Sequence, residues 1–493
     1  MGGAEETEKQ LPGQPSDGKR IAVLPLANIS ADSKDEYFSD GMTEELISAT
    51  SKIRGLGVIA RTSVMRYTGA TKPIGEIARE LGVETLLEGS VRKAGNKARI
   101  SVQLVDAKTE EQVWSQSYDR DLEDVFTIQS EIAQRIARSL KVRVLKNEKM
   151  GLERKPTDNA EAHSQYLKGL HLLNSRTEEW AKKAIEHFEK SLQRDPGYSL
   201  AYTGLADAYA VMALLEFVPP KEAFPKAREA ARKALEIDGK LAEAHASLGL
   251  VSFQYDWDWQ GAEKELKRAI ELNPNYAPAH QFFADYLKAM GRFDEALGEM
   301  GRARALDPLS LAINTGVGHV LYLSRQYDRA IEHYRNVVKL DPTFVQARLW
   351  FGRPYLQKQM YKEAIGELEE AVKLSGSSTM SLAMLGQAFA AAGRKGEMEE
   401  ILGKLTERSR HHYVPSYWIA LLFIGLADKE QAFAWLERAF HERSSWLVWV
   451  KVEPRFDVLR SDSRFNSLLG RMRLGPEKER ELGLRGWIKG PSK

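Results

Sequence analysis

Two hydrophobic patterns divide the chain. In residues 19–147, short apolar runs such as IAVLPLA, which starts at Ile21, alternate with stretches whose apolar residues recur every three or four positions. Short apolar runs are typical of strands, and the longer period is typical of helices. Between residues 162 and 445 only the helical period remains. The pattern predicts an α+β protein: a small mixed α/β domain of about five strands and three helices, then an all-α region.

The front domain is predicted to run strand, helix, strand, helix, three strands, helix. Helices are expected over residues 36–52, 74–81 and 122–145, and the first strand over Ile21–Ala27. Gly95 is followed by Asn96 between two strand-like runs, a pair that favours a hairpin turn. This order of elements predicts one mixed sheet with helices packed on it.

A repeat of 34 residues organises the helical region. The small residues that keep this spacing are Ala296, Ala330 and Ala364, and Gly318, Gly352 and Gly386. Small residues are expected where the two helices of a hairpin approach closely, and proline marks the start of the next unit because it cannot continue a helix. A 34-residue period with small residues at these positions, and with recurring aromatic and proline residues, resembles the tetratricopeptide repeat. About eight units fit, with an insertion expected in EFVPPKEAFP, and the resemblance implies a superhelix.

Changes in composition give the expected boundaries. They are a flexible leader at 1–18, the α/β domain at 19–147, a hinge at 148–161, the repeats at 162–445, a C-terminal capping region at 446–475 and a tail at 476–493.

The front domain also carries a resemblance. The ordered blocks IAVLPLANIS, DEYFSDGMTEELI, LLEGSVRKAGN, RISVQLVDAKT and WSQSYDRDLEDVFTIQSEIA resemble the TolB-amino-terminal-like (FlgO-like) domain. That domain precedes tetratricopeptide repeats in many bacterial and some archaeal proteins. Members of the family often carry a winged-helix DNA-binding domain, a nucleotide cyclase or a protein kinase in front. The sequence departs from that pattern, because fewer than 20 residues precede the first block.

Charge and composition narrow the function classes. The 493 residues include 71 basic and 69 acidic side chains, for a net charge of +2, which gives no overall attraction to nucleic acid or an anionic membrane. There is no cysteine, so disulfides and thiolate chemistry are excluded. The apolar stretch YWIALLFIGLA is shorter than the roughly 20 residues that span a bilayer. The N-terminus lacks a signal-peptide core, so a cytoplasmic location is expected.

The strand–turn–helix at the front raises the question of a nucleotide site. Neither GxxxxGK[ST] nor GxGxxG follows the first strand, and Asp32 and Asp35 in the turn would repel a phosphate. Ser39 or Asp40 is expected to cap the helix that follows. The adjacent pair His411-His412 cannot converge on one ion, so no metal is expected. The sequence therefore predicts no cofactor and no enzyme activity.

Two further stretches have a functional and a structural interpretation. YDWDWQ, with Trp257 and Trp259, could form an aromatic ligand box, but core packing between repeat helices is favoured. The basic run RKAGNKAR and the basic tail lack the interleaved aromatic residues of a nucleic-acid groove, so solvated surface is favoured for both.

The tetratricopeptide resemblance implies that the first helix of each unit lines a concave groove. With units starting at Ala277, Leu311 and Val345, one helix face carries Gln281, Asp285, Lys288, Thr315, His319, Tyr322, Gln346, Arg353 and Gln357. These side chains mix donors, acceptors and both charges, and they do not match the cationic clamp by which related repeats hold a C-terminal carboxylate. The expected function is a non-catalytic scaffold that binds a protein or an extended or helical peptide of mixed character.

A second function remains open. The chain would then be the sensory or regulatory half of a cyclase, kinase or winged-helix regulator whose effector domain lies elsewhere. The sequence also allows a homo-oligomer.

Overall fold

The front of the chain forms a mixed sheet in the computed structural model, which describes residues 19–30, 35–173 and 177–475. The strands are β1 Lys19–Val23, β2 Ala27–Asn28, β3 Leu56–Val58, β4 Thr85–Ala94, β5 Lys97–Asp106 and β6 Gln112–Asp121. Their order is β3-β1-β4-β5-β6, and β2 pairs with β4 outside this path. Strand β1 is parallel to β3 and β4, whereas β4, β5 and β6 are antiparallel neighbours. The predicted mixed α/β domain is therefore confirmed.

Helices cover this sheet and lead out of it. They are α1 Glu36–Ser51, α2 Arg61–Val64, α3 Ile74–Leu81, α4 Val125–Ser139 and α5 Lys146–Glu153. The long helix expected over 122–145 ends early because Lys141 adopts a positive φ of 55°, in the left-handed region. Helix α5 then forms inside the segment expected to be a hinge. The short helix α2 was not predicted.

The first strand is interrupted where a single strand was expected over Ile21–Ala27. Pro25 has no amide proton, so it cannot extend the ladder. The next amide, of Leu26, donates to Oγ1 of Thr43 on α1 at 3.0 Å rather than to a strand. The chain rejoins the sheet only as the two-residue β2.

The start of α1 differs from the expected capping. Asp35 occupies the cap position without a side-chain bond to the helix, and its carboxylate instead pairs with Lys93 Nζ at 2.9 Å. Ser39 and Asp40 lie inside the helix, so their predicted capping role is wrong. Asp32 lies outside the described residues.

The core of the front domain follows the alternation along β5. Ala98, Ile100 and Leu104 are fully buried, whereas Arg99 and Ser101 on the other face are not. This period of two buries one face of the strand and leaves the other polar. The predicted turn at Gly95 joins β4 to β5, with Gly95 at φ +58° where only glycine fits without strain.

The chain divides into two units. One contains the residues up to Ala160 together with segments 270–284 and 293–317, and the other contains segments 161–269, 285–292 and the chain from Gly318 onward. The first unit therefore includes parts of the repeat region, which the expected boundaries at 147 and 162 did not anticipate.

Within the first unit, the front domain bonds to two turns between repeats. Asn275 Nδ2 donates to the carbonyl oxygens of Ser51 and Leu56, both at 2.8 Å. Ser63 Oγ donates to Asp307 Oδ1 at 2.5 Å. Burial raises the pKa of Asp307 to about 6, although hydrogen bonds such as the one from Ser63 oppose that shift. These bonds hold the front domain on the Asn-Pro and Asp-Pro turns of the repeats.

The repeat region consists of sixteen helices among the described residues, in eight consecutive pairs along the chain. They are α6 Ala160–Leu173, α7 Glu178–Arg194, α8 Ser199–Leu214, α9 Pro220–Ile237, α10 Ala242–Val251, α11 Trp259–Leu272, α12 Ala277–Met290, α13 Phe293–Leu306, α14 Leu311–Leu323, α15 Tyr327–Leu340, α16 Val345–Gln357, α17 Tyr361–Leu374, α18 Thr379–Ala391, α19 Lys395–Arg408, α20 Ser416–Gly425 and α21 Lys429–Glu442. Residues 220–225 of the predicted insertion form the start of helix α9, and residues 216–219 lie in the connection before it.

Close helix contacts explain the spacing of the small residues. A Cβ atom at Gly318 would lie 2.5 Å from the ring of Tyr334, and one at Gly352 would lie 2.8 Å from the side chain of Leu368. Ala330, in the second helix of the same pair as Gly318, is fully buried. Each hairpin therefore inserts a large side chain of its second helix against a small residue of its first.

Beyond the hairpins, the chain forms two short 3-10 helices and a final α-helix. They are Ser445–Trp449, Pro454–Leu459 and α22 Ser463–Arg471. Trp257 and Trp259 are 2% and 3% exposed, and Trp259 Nε1 donates to the carbonyl of Met472 at 2.9 Å. This burial agrees with the favoured core interpretation of YDWDWQ.

A glycine pair tests the packing between hairpin helices. Gly318→Ala should destabilise the protein by roughly 1–3 kcal/mol, because the new methyl group overlaps the ring of Tyr334. Gly366→Ala, at an exposed position of α17 with no atom within 4 Å of a Cβ, should be neutral or stabilise by up to about 1 kcal/mol. Urea midpoints followed by circular dichroism measure both, and equal tolerance of the two substitutions would contradict the assigned contact.

Candidate functional site

One repeat position is polar in four consecutive first helices. Asp285 on α12, His319 on α14, Arg353 on α16 and Gln387 on α18 follow each other at intervals of 34 residues. His319 and Arg353 are each 1% exposed, and Gln387 is 6% exposed. We call these four residues the ladder. Since each hairpin repeats the same geometry, equal spacing gives their side chains equivalent places in successive units.

The ladder is covered by the segment Ser445–Leu459, which we call the closing segment. Its Trp449 ring lies edge-on to His319, with centroids 5.3 Å apart, and Lys288 Nζ lies 5.2 Å from the centroid of Trp449. Its Trp446 ring lies 5.9 Å from the guanidinium of Arg353. The closing segment thus places two indole rings against two cations of the first helices.

A buried carboxylate anchors the closing segment. Glu453 is 1% exposed and accepts hydrogen bonds from Arg455 Nη2 at 2.8 Å and from Tyr322 Oη at 2.5 Å. Arg353 Nη1 lies 3.9 Å from the same carboxylate. Arg455 also donates from Nη1 to Gln387 Oε1 at 3.1 Å. The closing segment is therefore tied to α14, α16 and α18 through one ionic network.

The local backbone structure positions the carboxylate of Glu453. Glu453 is the cap residue of the 3-10 helix Pro454–Leu459 and accepts a hydrogen bond from the backbone amide of Arg455 at 3.3 Å. Pro454 is suited to the first helical position, because its missing amide proton would have no partner there. The Glu-Pro-Arg sequence thereby brings the acidic and basic side chains together.

The charges of the network shift its pKa values in a consistent direction. Burial alone would raise the pKa of Glu453, but the charges of Arg455 and Arg353 and the hydrogen bonds from Arg455 and Tyr322 more than offset it and hold the pKa at about 2. Burial, together with the charges of Lys288 and Arg353, lowers the pKa of His319 well below its ordinary value. The carboxylate is therefore ionised and the imidazole neutral at neutral pH.

Several polar atoms in this network lack a hydrogen-bond partner among the described residues. For Arg353, Nε has no partner, Nη1 lies 3.5 Å from His319 Nε2, and Nη2 lies 4.0 Å from Met384 Sδ. A buried guanidinium with only long contacts is costly. The fit between the ladder and the closing segment is thus strong at Glu453 and incomplete at Arg353.

The nine predicted groove residues have two kinds of environment. Those that are buried, none more than 1% exposed, are Lys288, Thr315, His319, Tyr322 and Arg353. Those that are partly exposed are Gln281, Asp285, Gln346 and Gln357. The buried five are covered by other parts of the chain, which the helical pattern could not foresee. As contacts to a partner, all nine remain predictions.

The sequence reasoning missed part of the network. Gln387 continues the 34-residue series from Asp285, and extending that series by one unit would have found it. Trp446, Glu453 and Arg455 were placed in a capping region, and no spacing relates them to the ladder. Their convergence follows from the path of the chain in three dimensions.

A second carboxylate, of the partly buried Glu216, lies beside the closing segment. Glu216 accepts hydrogen bonds from Trp418 Nε1 at 2.6 Å and from Trp446 Nε1 at 2.7 Å, both at Oε1. Burial raises the pKa of Glu216 to about 7, while the indole hydrogen bonds act in the opposite direction. Trp446 therefore contacts both Glu216 and Arg353.

The front domain carries a separate open cleft of about 770 Å³. It lies between α3, the segment before it and the polar face of β4, β5 and β6. Ser101 and Ser117 hydrogen bond across the strands at 2.9 Å, and Gln103 Nε2 donates to Glu88 Oε1 at 2.5 Å. These side chains satisfy one another, and the cleft presents no cluster of cationic side chains that would favour a nucleotide phosphate.

The described residues lack two other kinds of site, a metal centre and a membrane-spanning helix. In residues 19–30, 35–173 and 177–475, no group of three or more histidine and carboxylate side chains is placed to hold a metal ion. Over the same residues, none of the helices has the length and apolar character needed to cross a membrane.

Comparisons with known proteins bear on both parts of the chain. Residues 17–136 match the family described as HilA/YgeH-like transcriptional regulator, second domain, and residues 283–343 and 321–376 match two tetratricopeptide repeat families. Tetratricopeptide repeats therefore follow a HilA-like domain. The TolB-amino-terminal-like resemblance of the front domain stays a prediction.

Two relatives align with half or more of the chain. The putative adenylate cyclase 3 of Rhizobium meliloti is 35% identical over 252 residues, which cover 50% of this chain and 42% of that protein. The transcriptional regulator HilA of Salmonella typhimurium is 22% identical over 318 residues, which cover 63% of this chain and 55% of that protein. The chain thus spans about half the length of these relatives.

Among solved structures, the yeast Tom70 crystal structure is similar with a TM-score of 0.42 and 14% identity, over 73% of this chain and 82% of that one. A TM-score below 0.5 does not establish a common arrangement of the helices.

Removing the charge of Glu453 should weaken the packing of the closing segment. We expect Glu453→Gln to cost about 3–5 kcal/mol, because it leaves Arg353 and Arg455 buried without a counter-charge. The matched control is Glu430→Gln, which breaks the exposed pair with Arg464 and should cost less than about 1 kcal/mol. Urea unfolding followed by tryptophan fluorescence compares them, and equal midpoints would refute the anchoring role of Glu453.

Glu216 should give the stability a pH dependence near neutrality. Its folded pKa of about 7 exceeds the roughly 4.3 of an unfolded glutamate, so its contribution is fully present below about pH 4.3 and is lost as pH rises through 7. Glu216→Gln keeps a side-chain oxygen that can accept hydrogen bonds from the two indole N–H groups, but the amide of glutamine does not titrate. Wild type should therefore lose stability relative to Glu216→Gln between pH 5 and 8, as measured by urea midpoints. Parallel pH profiles for the two proteins would contradict the buried, titrating carboxylate.

Proposed function

We propose that this protein is a non-catalytic scaffold that binds a protein or peptide partner through the first helices of its repeats. The observation that carries the proposal is the ladder itself, which binds a segment of polypeptide through ionic, hydrogen-bonding and aromatic contacts. A surface that binds part of its own chain in this way has the chemistry needed to bind a peptide. No cofactor is part of this function.

The partly exposed predicted residues provide the starting surface for a partner. Gln346 and Gln357 lie at the two ends of α16, and Gln281 lies on α12. Their amide side chains donate and accept hydrogen bonds, which suits backbone groups of an extended or helical peptide. Affinity in the micromolar range is expected, because the loss of conformational freedom on binding offsets a large part of the favourable free energy of a small polar interface.

The front domain supports a second candidate function. Its HilA-like match and the cyclase-named relative favour a regulatory half that works with an effector domain, in the manner expected of a TolB-amino-terminal-like domain in signal transduction. The hydrogen bonds of Asn275 and Ser63 would then transmit a change in the repeats to the front domain. This function is compatible with a cytoplasmic location and with a homo-oligomer. An effector domain encoded in frame with this chain would favour it over a free-standing scaffold.

Site-specific photo-crosslinking in the native cell tests the scaffold function. A photoreactive residue at Gln346 or Gln357 should give a discrete adduct with a partner protein. The same residue at Lys362 or Glu369, exposed on the second helix α17 of that hairpin, is the matched control and should give none. Mass spectrometry of the adducts identifies the partner.

Adducts of equal yield from α16 and α17 would contradict a partner-binding surface on the first helices.

A further inference from the structure

We infer that the closing segment Ser445–Leu459 is a releasable internal ligand of the ladder, and that the external partner is a peptide presenting a carboxylate beside aromatic side chains. This inference rests on the proposed scaffold function and specifies the chemistry of its partner. The contacts that Glu453, Trp446 and Trp449 make with the first helices indicate which chemical groups a partner would present.

Charge complementarity sets the first requirement. Release of the closing segment removes Glu453 and Arg455 together, so the surface left behind carries Lys288 and Arg353 against the carboxylate of Asp285. The opened surface is therefore cationic, and the hydroxyl of Tyr322 adds a neutral donor. An incoming carboxylate meets the hydroxyl of Tyr322 and the guanidinium of Arg353, which are the partners that Glu453 has outside the closing segment.

Aromatic contacts set the second requirement. Lys288 Nζ lies 5.2 Å from the centroid of Trp449, and the guanidinium of Arg353 lies 5.9 Å from that of Trp446. A cation held within about 6 Å of an aromatic ring is attracted by it, more strongly when water is excluded. Trp449 precedes Glu453 by four residues, which places ring and carboxylate on neighbouring repeats. A peptide with an aromatic residue a few positions before an acidic residue reproduces this pattern.

Unpaired polar groups make the internal ligand replaceable. In the part of the chain that the structure describes, buried atoms of this contact region without a hydrogen-bond partner are Tyr334 Oη, Trp350 Nε1, Arg353 Nε, Tyr417 Oη and Arg455 Nε. Trp350, Arg353 and Tyr417 contact Trp446 of the closing segment, so these three groups lose their bonds to water when the segment covers them. A partner that supplies hydrogen-bond acceptors to Trp350 Nε1 and Arg353 Nε forms hydrogen bonds that the closing segment does not provide.

The form of the closing segment favours local release. It consists of two short 3-10 helices, whose hydrogen-bond geometry is poorer than that of the α-helices it covers. Opening exposes the buried side chains of Leu447, Val448 and Phe456, so the open form is a minor one, reached without unfolding the remainder of the domain. The surface therefore alternates between a closed form, held by Glu453, and an open form that accepts a partner.

Hydrogen exchange of the wild-type full chain tests release. Amides of residues 447–456 should show protection at least tenfold below that of the interior amides of α14 and α16. Equal protection in the closing segment and in those helices would overturn the inference, because the segment would then open only on global unfolding.

A peptide added in trans tests recognition. A fluorescein-labelled peptide of residues 445–459 should bind the full-chain variant Trp449→Ala/Glu453→Gln at least tenfold more tightly than it binds wild type, as measured by fluorescence anisotropy. The same peptide with glutamine at the Glu453 position should bind that variant at least tenfold more weakly. Adding Arg353→Met to the variant should abolish the difference between the two peptides. Absence of binding, or binding that ignores the carboxylate, would overturn the inference.

Different results would contradict the scaffold function and the release of the closing segment. Peptide binding in trans without any cellular adduct at Gln346 or Gln357 would count against the scaffold function and leave the ladder chemistry intact. Cellular adducts with no release of the closing segment would place the partner on another part of the first helices and overturn the inference.

Discussion

The arrangement of the second unit depends on one buried carboxylate. Glu453 lies among Arg353, Arg455 and Tyr322, where water cannot screen their charges. Breaking such a network leaves charges uncompensated in a medium of low polarity. The same segment brings the rings of Trp446 and Trp449 to the cations of Arg353 and Lys288.

Helix packing in turn determines where the partners of Glu453 stand. Gly318 admits the ring of Tyr334 and Gly352 admits the side chain of Leu368, so the two helices of each hairpin lie close together in the same way. Repeating one contact at every unit places residues 34 apart in equivalent positions. His319, Arg353 and Gln387 form a line for this reason, although their chemistry differs.

Within the first unit, hydrogen bonds attach the front domain to turns between repeats. In one repeat, Asp341 Oδ1 accepts a hydrogen bond from the amide of Thr343, two residues further on, as the turn alone would require. At Asp307 the equivalent carboxylate instead accepts a hydrogen bond from Ser63 of the front domain. The same turn residue thus supports local structure in one unit and domain attachment in another, which its sequence position does not reveal.

The sequence by itself determined the mixed front sheet, the hairpin at Gly95 and the helical pairs, because these depend on local periodicity, turn chemistry and small-residue spacing. It also indicated that Lys288, His319, Tyr322 and Arg353 share a face, since helical geometry relates residues within a helix and the repeat relates successive helices. It could not place the early end of α4, which depends on the positive φ of Lys141. Only the tertiary structure decided whether the shared face meets solvent or Glu453. The reason is physical: burial and electrostatic pairing are set by which distant segments come within a few ångströms, and nothing in the local pattern of residues 445–459 encodes that approach.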